Sequence, residues 1–125
     1  MDIVTITLNP ALDLTARLGA MSLGEVNLVS EANLRAAGKG INVAMVLKDL
    51  GRDVGLTGWL GEDNQQSFVS LFAERSLADH FVRVAGSTRI NVKISEQSGR
   101  VTDLNLPGLT IHEGEVSALE AEIEK

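Results

Sequence analysis

Apolar and polar residues change rhythm several times along these 125 residues, and each rhythm predicts an element. Ile3 to Leu8 is a short apolar, β-branched run that stops at Asn9-Pro10, as a buried strand does. Leu12, Leu14, Ala16 and Leu18 then alternate with Asp13, Thr15 and Arg17, the period of a strand with one apolar and one polar face. Gly19 to Gly24 reads as a loop. Val26 to Ala36 reads as extended chain, with Ala32, Leu34 and Ala36 opposite Glu31, Asn33 and Arg35. From Ile41 to Leu50 the period becomes helical, and Ile41, Ala44, Met45, Val46 and Leu47 form a broad face expected to be buried.

Val54 to Leu60 predicts another buried strand, with Trp59 in the core. Asp63 is placed to cap a helix reaching about Arg75, with Gln66 completing a capping box and Phe68, Leu71 and Phe72 facing inward. Asp79 to Val84 predicts a short strand. Arg89 to Ser95 and Val101 to Leu106 predict a hairpin: Ile90, Val92 and Ile94 face one way, and Arg89, Asn91, Lys93, Asp103 and Asn105 the other. A last helix spans Glu113 to Lys125, with Val116, Leu119 and Ile123 on one face.

These elements sort into two modules. Residues 1–8, 40–84 and 110–125 alternate strand and helix, which predicts a parallel sheet flanked by helices. Residues 12–36 and 87–106 supply half-polar strands that predict a small open sheet. The last helix needs a layer to pack on, and so short an alternation leaves the parallel sheet with few strands. The expectation is the N-terminal part of a longer protein, with an unpaired strand edge and exposed apolar surface.

Composition removes several function classes. A 44% hydrophobic content can build a core, so the chain is not a disordered tail. A net charge of −6 and an aromatic set of only Trp59, Phe68, Phe72 and Phe81 argue against a nucleic-acid partner, which needs a basic stripe or stacking platform. Without cysteine there is no disulfide, thiolate nucleophile or Cys-ligated metal. His80 and His112 have no second ligand at metal spacing, so no metal site is expected. No basic leader and no membrane-length apolar run occur, and a soluble, cytoplasmic protein with no membrane partner is expected.

Candidate chemistry concentrates in Ala36-Ala37-Gly38-Lys39-Gly40-Ile41-Asn42-Val43-Ala44. Glycines and a lysine stand where an extended segment meets a helix, whose first N–H groups point outward unpaired and favour an anionic or polyhydroxyl ligand. A P-loop would need glycine at Asn33 and Ser or Thr at Gly40; a dinucleotide fingerprint would need glycine at Val43. Both are excluded. A plain strand-to-helix turn with an exposed lysine fits the same letters, so the stretch by itself leaves both readings open. The polar face of the open sheet, with Asp13, Arg89, Asn91, Lys93, Asp103 and Asn105, is either an ordinary solvated surface or a sugar-phosphate site. In the latter, arginine forks onto phosphate oxygens while Asp and Asn take hydroxyls.

Four stretches in order carry a resemblance: Thr5 to Asp13 (TITLNPALD), Ala36 to Gly51 (AAGKGINVAMVLKDLG), Thr88 to Lys93 (TRINVK) and Thr102 to Asn105 (TDLN). With them the chain resembles the ribokinase/PfkB family of carbohydrate kinases, and within it the 1-phosphofructokinase branch, over essentially its whole length. The resemblance implies an α/β fold: a Rossmann-like, ribokinase-like parallel sheet with helices, plus a small β-sheet lid over a sugar site. It implies that Asp13 bonds sugar hydroxyls from the lid and that Gly38, Lys39, Gly40 and Asn42 line the floor. Arg89 would hold a phosphate with help from Lys39, and Asn91 and Asn105 would also contact the substrate.

The implied reaction is ATP- and Mg²⁺-dependent phosphorylation of fructose 1-phosphate to fructose 1,6-bisphosphate. Tagatose-6-phosphate and fructose-6-phosphate kinases of the same family are rivals, and a non-catalytic sugar-phosphate-binding module is the reading from another class. The family's Gly-Ala-Gly-Asp and Asn-x-x-Glu motifs do not occur in these 125 residues. No catalytic residue is therefore assigned, ATP and Mg²⁺ are expected only in the full-length enzyme, and this stretch alone is expected to be inactive. Lids of the family pair between subunits, which implies a homodimer through the lid sheet.

Overall fold

The computed structural model describes residues 2–125. In chain order the elements are β1 (Ile3–Thr7), β2 (Ala11–Leu18), β3 (Glu31–Ala37), α1 (Lys39–Asp49), β4 (Val54–Gly61), α2 (Gln66–Glu74), β5 (Ala78–Asp79), β6 (Val82–Val84), β7 (Ile90–Glu96), β8 (Val101–Asn105) and α3 (Glu113–Ile123). The protein is an α/β fold, and two sheets organise it.

In the first sheet β4 is central, with β1 on one side and β5 and β6 on the other, all parallel. Alternation along β4 decides the layers. Val54, Leu56 and Leu60 share one face and pack with Ile41 and Ala44 of α1 and Phe68 and Phe72 of α2. Ile41, Leu56, Leu60 and Phe68 are wholly buried, and each contributes about 2–3 kcal/mol relative to exposure. Phe72 also stacks on Phe81 with ring centroids 5.4 Å apart. On the opposite face Trp59 points toward α3 and its indole N–H donates to the Glu115 carbonyl at 2.9 Å. Trp59 is therefore half-buried, in contact with a helix end, and not part of the core. Leu119 is the buried residue of α3, while Val116 and Ile123 stay 40% and 43% exposed.

The second sheet runs β3-β2-β7-β8. Its strands pair antiparallel, parallel and antiparallel in that order. Leu12 of β2 belongs to the main core cluster, so this sheet is rooted in the α/β body.

Local chemistry displaces several elements from where periodicity puts them. The extended chain expected from Val26 begins only at Glu31. The Asn27 side chain accepts from Ser22 N–H at 2.7 Å and donates to the Ser22 and Glu25 carbonyls at 3.0 Å, which holds this segment as a turn. The Asp63 capping box is absent. Helix α2 starts at Gln66 after an N-cap at Gln65 that makes no side-chain cap bond. Asp63 N–H goes instead to the Gly86 carbonyl, and Asn64 exchanges two 2.8 Å bonds with the Thr88 backbone. The strand expected from Asp79 to Val84 is broken into β5 and β6, with the Asp79 carboxylate taking Phe81 N–H at 3.0 Å. Val46, expected in the buried face of α1, is 58% exposed.

Glu96 is a buried carboxylate at the far end of the second sheet. It accepts from the Arg100 guanidinium, with Nη2 at 2.8 Å, and from Met21 N–H at 2.7 Å. The Arg100 hydrogen bonds first, then the Met21 amide, lower its pKa from 4.5 to about 2. A carboxyl with a depressed folded-state pKa stabilises the fold fully above pH 4.5, and that contribution fades as pH falls from there toward 2. In Glu96→Gln the loss of melting temperature across this window should shrink. An unchanged acid limb would show that Glu96 does not contribute to it.

Candidate functional site

Two short connections meet at the edge between the sheets. Strand β1 ends at Thr7, and Asn9-Pro10 turns the chain into β2. Strand β3 ends at Ala37, and Gly38 caps α1. The Gly38 N-cap offers no side chain, and the first turn of α1 holds no acidic residue. Its leading N–H groups are thus open, with Lys39 at the first helical position, an arrangement that favours an anion.

The glycines have a physical reason within the fold itself. A Cβ on Gly40 would lie 2.3 Å from Thr7 Oγ1 and 3.0 Å from the Ile6 carbonyl oxygen. One on Gly38 would lie 2.7 Å from Thr7 Cγ2. They let the helix mouth press against the end of β1. Gly40→Ala should push α1 off the strand, cost about 1–3 kcal/mol of stability and lower affinity for an anionic ligand at the helix mouth about tenfold or more by misplacing the groups around it. Thermal melts and calorimetric titration of the variant read both.

Beside the helix mouth lies a hollow of about 450 Å³. Asp13 from β2, Gly38 at the cap of α1, Lys39, Gly40 and Asn42 within that helix, Arg89 just before β7 and Asn91 within it all line it. Of the residues that the resemblance assigns to the substrate, Asn105 alone lies elsewhere. It lines an adjoining hollow of similar volume that shares Asp13, Asn42 and Asn91 with the first. Strand register explains this. Arg35, Asp13, Asn91 and Asn105 form one row across all four strands of the second sheet, and Asn33, Thr15, Lys93 and Asp103 form the next.

Polar groups in the first hollow are held loosely or left open. Asn91 Nδ2 approaches Asp13 Oδ1 at 3.4 Å, and Arg89 Nη2 donates to the Asn9 carbonyl at 3.2 Å. Thr7 Oγ1, Arg89 Nε and Asn91 Oδ1 are buried without a hydrogen-bond partner. Buried polar atoms are costly unless something satisfies them, so a polar ligand gains by filling this space. Two cations, Lys39 and Arg89, face one carboxylate, Asp13, and the open helix end adds to the positive side. In the adjoining hollow Arg35 and Lys93 balance Asp13 and Asp103, with Lys93 Nζ 3.9 Å from Asp103. One end suits an anion and the other suits hydroxyl groups.

Thr7, Asn9 and Arg35 also line these hollows and were not singled out from sequence. Thr7 gave little signal, being one of two threonines in β1. Arg35 gave none, because its row is fixed only by pairing. Among the described residues no group of three or more His, Asp or Glu side chains could hold a metal ion, and no helix is long and apolar enough to cross a membrane.

The sequence profile of the pfkB family carbohydrate kinases matches residues 6–124. The chain belongs to that family. It is 52% identical over 123 residues to the 1-phosphofructokinase of Vibrio cholerae, covering 98% of this chain and 39% of that protein. To the 1-phosphofructokinase of Escherichia coli K12 it is 55% identical over 109 residues, 87% of this chain and 35% of that one. Its backbone superposes with a TM-score of 0.90 and 30% identity on a Staphylococcus aureus protein solved as a candidate phosphofructokinase, again over 98% of this chain and 39% of that one. The chain thus spans well under half the length of the relatives it matches. The ribokinase-like kinase fold follows from these superpositions, which extend to a Thermotoga maritima ribokinase at a TM-score of 0.71.

Proposed function

We propose that these residues form the sugar-phosphate-binding part of an ATP-dependent kinase that converts fructose 1-phosphate to fructose 1,6-bisphosphate. The observation carrying this reading is the convergence of Arg89, Lys39 and the open end of α1 on one side of a hollow whose other side is Asp13, Asn42 and Asn91. Arg89 forks onto the phosphate with Lys39 beside it, while Asp13 and Asn42 take ring hydroxyls and Asn91 steadies Asp13. Asn105 reaches the far end of the sugar from β8. Identities of 52% and 55% to proteins named 1-phosphofructokinase favour fructose 1-phosphate. The solved phosphofructokinase-2 with fructose-6-phosphate is only 26% identical.

ATP with Mg²⁺ supplies the transferable phosphoryl group in such kinases. The role of this chain is to bind and orient the sugar, so by itself it binds without turnover. Calorimetric titration with fructose 1-phosphate, fructose 6-phosphate and tagatose 6-phosphate tests the reading. Fructose 1-phosphate should bind tightest; equal affinities, or none, would overturn the substrate assignment.

The outer face of the lid supports a homodimer. Leu34, Leu14, Val92 and Leu104 form a continuous apolar row across its strands, with Leu34 and Leu104 48% and 49% exposed. In the adjoining loop Leu23, Val26 and Leu28 are 87%, 91% and 87% exposed. A contiguous apolar patch of this kind marks an interface. Leu34→Lys combined with Leu104→Lys should convert a dimer to a monomer in sedimentation; persistence of the dimer would place its contacts elsewhere.

A further inference from the structure

Arg89 lies outside regular structure. Strand β7 begins at Ile90, and residues 85–89 join it to β6 with no helix or strand of their own. The place of Arg89 therefore depends on individual bonds, and these converge on the residue before it. Thr88 is 1% exposed, and each of its polar groups is engaged by the loop that follows β4. Thr88 N–H donates to Asn64 Oδ1, and the Thr88 carbonyl accepts from Asn64 Nδ2, both at 2.8 Å. The Thr88 hydroxyl accepts from Gly61 N–H at 2.8 Å. Gly61 can come this near because it lacks a side chain; a Cβ there would lie 2.4 Å from Thr88 N. Glu62 and Asp63 N–H groups donate to the Val84 and Gly86 carbonyls at 2.9 and 3.0 Å, so loop 61–64 runs bonded along 84–88.

An amide that takes the N–H and the carbonyl of one residue together serves as an extra rung of a sheet. On the far side, the Arg89 carbonyl accepts Leu12 N–H at 2.9 Å, where the pairing of β2 with β7 begins. Arg89 thus stands between two fixed peptide groups, one tied to the α/β body and one to the lid. Its side chain is held far less. Among the described residues it makes one hydrogen bond, from Nη2 to the Asn9 carbonyl at 3.2 Å, and Nε is buried without a partner. A guanidinium so lightly held takes its direction from the backbone beneath it. Asn64 itself lines neither hollow.

We propose that Asn64 is a positioning residue for the anion grip: through the two peptide groups of Thr88 it aims Arg89 into the hollow without touching the ligand. That Arg89 then meets a sugar phosphate rests on the function proposed above; that Asn64 orders it does not. The chemistry requires an amide. Aspartate keeps the shape and accepts Thr88 N–H, but turns a second oxygen on the Thr88 carbonyl, and alanine drops both bonds.

Two measurements on the chain test this. In heteronuclear NMR the Arg89 Nε–H, assigned by its disappearance in Arg89→Lys, should give a separate, slowly exchanging signal. In Asn64→Ala and in Asn64→Asp it should move to the position of exposed arginines. Calorimetry should show fructose 1-phosphate bound about tenfold more weakly by each variant, the loss expected of a misaimed group. With Arg89→Ala already present, Asn64→Ala should cost nothing further, because the two residues act through one grip. A residue that merely holds the fold would cost as much there as in the parent. Glu96→Gln, at the far end of the same sheet, should leave the Arg89 signal and the affinity unchanged.

An Arg89 signal unmoved in both Asn64 variants overturns the proposal. So does unchanged affinity in them, a loss undiminished beside Arg89→Ala, or a loss shared by Glu96→Gln. Failure of both variants to fold also overturns it, since Asn64 would then hold the body and not the arginine. A parent chain that binds no fructose 1-phosphate sinks the sugar-phosphate reading instead, and the Arg89 signal then decides the role of Asn64 alone.

Discussion

Arg89→Ala should weaken fructose 1-phosphate binding about 10- to 100-fold, a loss on the order of 2 kcal/mol for removing charge-assisted hydrogen bonds to a phosphate. The side chain is half-buried just before β7, its Nη2 already steadied by the Asn9 carbonyl at 3.2 Å and its Nε buried with no partner. A guanidinium so placed is held before the ligand arrives, so little rotamer freedom is lost on binding. Truncation should leave the weak affinity for unphosphorylated fructose unchanged, because Asp13 and Asn42 remain. Arg89→Lys should recover only part of the loss, since a lysine cannot fork. Calorimetry on the three proteins with both sugars reads the difference. Equal losses for fructose and fructose 1-phosphate would mean that Arg89 shapes the hollow without holding the phosphate.

Gly58→Ala should have the largest effect on stability, about 4 kcal/mol or more, through overpacking against backbone together with an unfavourable dihedral. Gly58 has φ +146°, and a Cβ there would lie 1.9 Å from the Thr7 carbonyl oxygen and 2.9 Å from Phe81 Cε1. Thr7 is its register partner across the β1–β4 ladder, so neither strand can yield without breaking the pair. Domains are stable by only about 5–15 kcal/mol, so this one change should leave little folded protein. It should also abolish sugar-phosphate binding, because the turn after Thr7 carries Asn9 and leads to Asp13. Denaturant unfolding measures the loss. A midpoint within error of the parent would mean that β1 and β4 are less tightly opposed than the register implies.

Much of this architecture was legible from local pattern. Alternation placed β2 and β7 with their polar faces intact, and the glycine-lysine stretch marked the mouth of α1. Such features depend on residues a few positions apart, which periodicity reads directly. Errors fell where side chains bond their own backbone or distant loops. Asn27 turned an extended run into a loop, and the cap expected from Asp63 is absent, its N–H bonded to the Gly86 carbonyl of a distant loop. Trp59 read as core by composition, yet its indole N–H needed an acceptor and found the Glu115 carbonyl. The glycines of the motif were identified correctly as special, but the crowding that requires them comes from Thr7 and Ile6, far away in sequence.

By itself the sequence determined most of the elements, the α/β plan and the polar residue types that line the hollows, because these are set by short-range periodicity and by side-chain chemistry. Tertiary structure alone decided which of those residues meet. Parallel pairing of β2 with β7 sets Asn91 opposite Asp13 across 78 residues, and β3 brings Arg35 into the same row. Register is chosen by the packing of whole strands, where a one-residue slip would turn every polar side chain to the other face. No local window contains that choice.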